Sequence, residues 1–118
     1  MYLKSYKELI VWQKSCDLVF AIYALTDQFP KEETYSLGSQ MRRAAVSIPS
    51  NIAEGSRRKD IPEYLQFLRI ADASSAELET QIFLSRRLYP MLEYSITEKF
   101  LEEVQKMPNV MIARPEAK

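Results

Sequence analysis

Apolar residues recur at three- and four-residue spacing along most of the chain, and proline-containing breaks divide that pattern into four segments. The first covers about residues 6–28 and stops at Phe29-Pro30, because the residue before a proline disfavours helical dihedrals. It carries two apolar rows. One is Leu9, Trp12, Cys16, Val19 and Tyr23; the other is Val11, Leu18, Ile22, Leu25 and Phe29. Together they cover more than half of the circumference, where a single stripe suffices for a surface helix. Two readings follow for the second row. Either the helix is deeply buried in a bundle, or Val11, Leu18, Ile22 and Leu25 form an oligomer interface.

The second segment spans about residues 34–54, with Leu37, Met41, Ala44, Ala45, Ile48 and Ile52 as its stripe. Pro49 falls inside it. An internal proline removes one backbone hydrogen bond and bends a helix, yet the apolar spacing continues in phase, so one kinked helix is expected. The third segment is the longest, about residues 61–88, with Tyr64, Leu68, Ala71, Ser75, Leu78 and Ile82 on one face. Its small-residue run, Ala71-Asp72-Ala73-Ser74-Ser75-Ala76, matches Ala44-Ala45-Val46-Ser47 of the second. Small side chains let helix backbones approach closely, so these runs are expected to face each other. The fourth segment, about residues 96–106, has Ile96, Phe100, Val104 and Met107 as its stripe and ends at Pro108.

Three capping boxes mark starts: Ser5-Tyr6-Lys7-Glu8, Asp60-Ile61-Pro62-Glu63 and Ser95-Ile96-Thr97-Glu98. Pro62 suits a first turn, whose N–H groups have no helical partner. The short loops make sequential helices antiparallel neighbours. The expected fold is all-α, an up-down antiparallel four-helix bundle over residues 1–108, followed by a tail, 109–118, without helical period and open to disorder.

Composition narrows the chemistry. Apolar residues are 47% and charged residues 27% of the 118, ordinary for a globular domain. Two glycines, Gly38 and Gly55, stand apart and cannot form a phosphate-binding loop. The absence of histidine removes the commonest general base and metal ligand, so serine–histidine and cysteine–histidine triads are impossible. Cys16 is the only cysteine, which rules out an intrachain disulfide or a zinc cluster, and its apolar row makes it a core residue rather than a nucleophile. No apolar run reaches the roughly 20 residues of a membrane span, and the first residues lack the apolar stretch of a signal peptide. A cytoplasmic, non-enzymatic protein without cofactor or metal is expected.

The formal net charge is zero, but it is unevenly distributed. Residues 42–59 hold five bases (Arg42, Arg43, Arg57, Arg58 and Lys59) and one acid, Glu54; residues 60–103 hold nine acids and four bases. The basic segment reads either as a phosphate-binding patch or as a solubilising loop, with Arg42 or Arg43 pairing to acids such as Glu77 and Glu79. Copies arranged around an oligomer would add several weak patches together. Other constellations are weak. Glu77 and Glu79 point to different helix faces. Nothing in the sequence brings Glu54 to Glu77. Met107 and Met111 make no metal site, and Tyr2 and Tyr6 are packing residues before they are base-stacking ones.

Three stretches together resemble a known family: Glu8-Leu9-Ile10-Val11-Trp12-Gln13-Lys14; the run from Gln40 through Arg42-Arg43-Ala44-Ala45-Val46-Ser47-Ile48-Pro49-Ser50-Asn51-Ile52-Ala53-Glu54-Gly55; and Phe67-Leu68-Arg69-Ile70-Ala71 followed by Ser75-Ala76-Glu77-Leu78-Glu79-Thr80-Gln81. The family is that of bacterial four-helix-bundle proteins encoded within intervening sequences of 23S ribosomal RNA genes. It is similar to the accessory protein that partners the reverse transcriptase of diversity-generating retroelements. The resemblance covers about residues 6–88. It implies a four-helix bundle, a pentameric ring, and RNA or DNA held on a basic surface, for which Arg42, Arg43, Arg57, Arg58 and Lys59 are the positions here. It also implies a protein partner such as a reverse transcriptase. Where relatives carry a basic residue and a glycine, this chain has Asp72-Ala73, which adds negative charge to the third helix.

Overall fold

The computed structural model describes residues 5–33 and 35–106. The 109–118 tail, Tyr2, Met107 and Met111 lie outside the described residues. Four helices account for the body: α1 (Ile10–Thr26), α2 (Leu37–Ser56), α3 (Ile61–Leu88) and α4 (Ser95–Gln105), with single 3-10 turns at Tyr6–Glu8 and Lys31–Glu33. The molecule measures 49 × 22 × 19 Å.

Asp60 caps α3 as the sequence indicates, its side chain accepting from the Glu63 amide at 2.8 Å. The other two expected boxes form differently. Ser5 caps the 3-10 turn by accepting from the Lys7 amide, and α1 begins only at Ile10 without a side-chain cap. At α4 the Glu93 carboxylate accepts from the Ser95 amide at 3.0 Å, and that bond holds the Glu93 acid below the usual carboxylate range. Glu33 plays the same part at α2, accepting from the Leu37 amide at 3.2 Å. It also accepts the Tyr89 hydroxyl at 2.7 Å, which ties the α1–α2 connection to the far end of α3. Pro49 is buried inside α2, which continues through it as one helix from Leu37 to Ser56.

The core is one cluster drawn from all four helices. Val11, Leu18, Ile22 and Leu25 are 3% exposed or less, so the row offered as an oligomer interface is the inner face of α1. Burial within the chain itself leaves nothing of that row for a partner, and the interface expectation for these four residues is corrected accordingly. In the alternative row of α1, Leu9, Trp12, Cys16 and Val19 are half-buried and Tyr23 is exposed. There Trp12 meets the Tyr6 ring edge-on at 5.3 Å.

Helices α2 and α3 share the most extensive contact. Their small-residue runs do face each other: Ala44, Ala45, Ala71, Ser74 and Ser75 are buried, and the Ser47 and Ser74 hydroxyls bond at 2.7 Å across the seam. At α4 the buried residues are Thr97, Leu101 and Val104; Val104 belongs to the expected stripe and Phe100 packs partly buried against the core, whereas Ile96 is 60% exposed and Thr97 and Leu101 take the inner positions. Tyr94, just before α4, is also buried. Its hydroxyl lies 2.7 Å from that of Ser85 and donates to the Ser85 carbonyl at 2.9 Å, both buried, which fixes how α4 is rotated against α3.

Candidate nucleic-acid interface

The five candidate bases all sit on α2 or the turn after it, and the fold separates them into two groups. Arg43 and Arg57 are 14 residues apart on one helix, which places them about 21 Å apart along its axis at 1.5 Å per residue. Arg43, Val46, Ser50 and Arg57 are all exposed and follow helical spacing, so they mark out the outward face of α2. Arg58 and Lys59 continue from Arg57 into the connection to α3.

Arg42 is committed to the fold. Its guanidinium donates to the Thr26 hydroxyl at 2.7 Å and to the Asp27 carboxylate at 2.8 Å, and it lies 4.4 Å from the Tyr23 ring centroid. Thr26 can accept because its own proton goes to the Ile22 carbonyl at 2.8 Å. These contacts join α1 to α2 and neutralise Arg42 locally with Asp27, not with Glu77 or Glu79. Arg58 is also engaged, lying 4.6 Å from the Phe67 ring centroid and 4.0 Å from Glu54. Exposed i,i+4 pairs of this kind contribute little to stability.

Arg43, Arg57 and Lys59 differ. Their side chains are exposed, and among the described residues none forms an ion pair, hydrogen bond or ring contact. A span of about 21 Å equals about six phosphate steps at 3.4 Å per strand. The outward face of α2 therefore presents cations at both ends of a stretch that a nucleic-acid backbone can follow, with the Ser50 hydroxyl and the exposed Glu54 carboxylate, which pairs with Arg58, between them.

Beside Arg43 the surface opens into a cleft of about 560 Å³ between α1 and the start of α2, lined by Tyr23, Tyr35, Ser39, Arg42, Arg43 and Val46 among others, with no acid. A smaller cleft of about 240 Å³ adjoins it but carries Asp27 and Glu33. Sequence reasoning missed Tyr35, which is 94% exposed. The signal available was an aromatic residue in an otherwise polar connection, Glu32-Glu33-Thr34-Tyr35-Ser36.

Sequence reasoning also missed an apolar end to the bundle. Phe83, Leu84 and Leu88 of α3, Met91 of the α3–α4 connection and Ile96 of α4 are 45–75% exposed. Leu84 and Leu88 share one helix face at i,i+4 spacing.

Reactive chemistry is sparse. Burial, then the neighbouring Asp17, pushes the Cys16 thiol up, which disfavours the nucleophilic thiolate. Among the described residues no group of three or more His, Cys, Asp or Glu could hold a metal ion, and no helix is long and apolar enough to cross a membrane. Glu54 pairs with Arg58 at one end of α2, and Glu77 accepts from Gln81 on α3, so the fold gives them separate partners.

A profile described as 23S rRNA-intervening sequence protein matches residues 7–112. Among curated proteins none matches the chain. The fold is similar to the crystal structure of a protein of unknown function from the S23 ribosomal protein family of Bacteroides thetaiotaomicron. The TM-score is 0.72 at 19% identity, covering 92% of this chain and 100% of that one. At that identity the likeness carries the fold alone.

Proposed function

The chain belongs to the 23S rRNA-intervening sequence protein family, and on that footing we propose that it is a non-enzymatic, self-assembling protein that associates with RNA or DNA through the outward face of α2. The observation that carries this reading is the set of exposed cations, Arg43, Arg57 and Lys59, that the fold leaves without partners. Phosphate contacts made by such cations supply affinity without reading sequence. A zero net charge across the chain keeps the attraction local, so binding is moderate and strongly weakened by salt.

Assembly enters because, among the described residues, the outward face of α2 and the turn after it offer only three such cations per copy. A pentamer repeats the face five times and converts weak contacts into avidity. The exposed apolar end formed by Leu84, Leu88, Met91 and Ile96 replaces the inner row of α1 as the surface available for assembly. Light scattering tests this: a species near five times 13.8 kDa supports it, and a monomer at micromolar concentration overturns it. For nucleic acid the test is a mobility-shift assay at low salt with structured RNA and duplex DNA. The wild type shifts both, and Arg43→Ala/Arg57→Ala/Lys59→Ala shifts neither at the same concentration. Absence of any wild-type shift rejects the reading.

The same apolar end favours a second reading, a scaffold that docks a protein such as a reverse transcriptase without nucleic acid. Recovery of one specific protein after nuclease treatment, by wild type and the triple variant alike, distinguishes it.

A further inference from the structure

The cleft beside Arg43 has the makings of a base-binding site rather than a second phosphate contact. Its volume, about 560 Å³, falls within the roughly 300–1,000 Å³ of ordinary ligand sites. Tyr35 is 94% exposed, so the ring is open to contact. Tyr23 is 40% exposed and Val46 39%, which gives the cleft an apolar side. The Tyr23 ring is held in place by the Arg42 guanidinium at 4.4 Å, and Arg42 is itself anchored on Asp27 and Thr26. A ring fixed in this way loses little freedom when a ligand stacks near it. Arg43 lines the same cleft, is exposed, and has no partner among the described residues. The adjoining cleft, with Asp27 and Glu33 in its wall, would repel a phosphate. Aromatic rings and a free arginine side by side, with no acid, are what an unstacked nucleotide requires: a π-face for the base and a cation for its phosphate.

Resting on the nucleic-acid reading above, we infer that the Tyr23–Tyr35–Arg43 cleft receives one unpaired base of a single-stranded nucleic acid. The strand's backbone then continues along α2 toward Arg57. A base inside a duplex has both faces covered by its neighbours and cannot enter without being extruded. Base-paired nucleic acid therefore reaches only the cations, and single-stranded nucleic acid reaches the cations and the cleft. Stacking accepts any base, so the preference is for strandedness and not for sequence.

The test is fluorescence anisotropy with a labelled poly-thymidine strand and with a duplex of equal length, at one low salt concentration. Four proteins are compared: wild type, Tyr35→Ala, Tyr35→Phe and Arg57→Ala/Lys59→Ala. Tyr35 is so exposed that its replacement leaves folding intact. The expected result is tighter binding of the single strand by the wild type. Tyr35→Ala weakens that binding by roughly 5- to 150-fold, the range found for losing one stacked base. Duplex affinity is unchanged, Tyr35→Phe restores the single-strand preference, and Arg57→Ala/Lys59→Ala weakens both ligands. If Tyr35→Ala binds both like wild type while Arg57→Ala/Lys59→Ala weakens both, the base site is overturned and the cationic face stands. If the wild type binds neither ligand, both fall together.

Discussion

Gly55→Ala sets two known effects against each other, and the geometry decides between them. Gly55 lies in the last turn of α2, facing α3. A Cβ placed there would stand 3.0 Å from the Phe67 Cβ and 3.3 Å from the Tyr64 carbonyl oxygen. In an open helix the exchange stabilises by about 0.8–1 kcal/mol, because alanine loses less backbone freedom on folding. Here the neighbours are a backbone oxygen and a Cβ, which cannot swing aside as a flexible side-chain end can. Overpacking of this kind costs about 1–3 kcal/mol. The balance is a net loss of roughly 1 kcal/mol, with an upper bound near 2. At about 4 °C per kcal/mol for a domain of this size, thermal unfolding followed by circular dichroism shows a Tm lower by about 4 °C, and by no more than about 8 °C. Gly55→Val lowers it further, since a branched side chain meets the same wall. A Tm raised by about 4 °C in Gly55→Ala would refute the reasoning, because it would mean that α2 and α3 do not approach closely at this turn and that propensity alone governs.

Two further outcomes follow from the same packing. Leu18 is fully buried, so Leu18→Ala lowers stability by about 2–5 kcal/mol in denaturant melts without changing the light-scattering mass of the folded protein; a split assembly with unchanged stability would restore the interface reading of that row. The Tyr89 hydroxyl, held by Glu33, is pushed up to about 12 from 10.0, so its contribution to stability is complete below pH 10 and is lost between pH 10 and about 12. Tyr89→Phe therefore shows a shallower fall of Tm than wild type across that window, and parallel curves would contradict the bond.

The four helices were legible because each long segment carries a strong period and a clear stop. Asp60 and Pro62 fix the start of α3 on local chemistry alone, and the match of small residues between Ala44–Ser47 and Ala71–Ala76 indicated the closest seam. Pro49 was legible as interior because Ile48 and Ile52 keep phase around it. What failed depended on partners distant in sequence. Rows on two sides of α1 are apolar, so local pattern could not say which faces the core; packing against α2 and α4 decides it. Ser95 carries the pattern of a cap, but Glu93 makes the bond, and the buried Tyr94–Ser85 contact joins the start of α4 to α3.

The candidate interface shows the same limit. Charge clustering singled out one segment, yet its five arginines and lysines, counted alike in sequence, have different roles in the fold. Arg42 is spent on Asp27, Thr26 and Tyr23, contacts that reach back 15 to 19 residues and leave no local trace. Arg58 lies against Phe67. Only the fold shows that Arg43 and Arg57 bracket one helix face, and that Tyr23 and Tyr35 open beside Arg43.

The most direct test of the cationic face is the salt dependence of binding to duplex nucleic acid, measured for wild type and for Arg43→Ala/Arg57→Ala/Lys59→Ala under identical conditions. Each phosphate contact contributes about 0.9 to the slope of log K against log salt. Removing three cations from each engaged copy is expected to flatten that slope by about 2–3 per copy. A slope that stays the same in the variant, with affinity retained, would place the nucleic acid elsewhere and contradict the account.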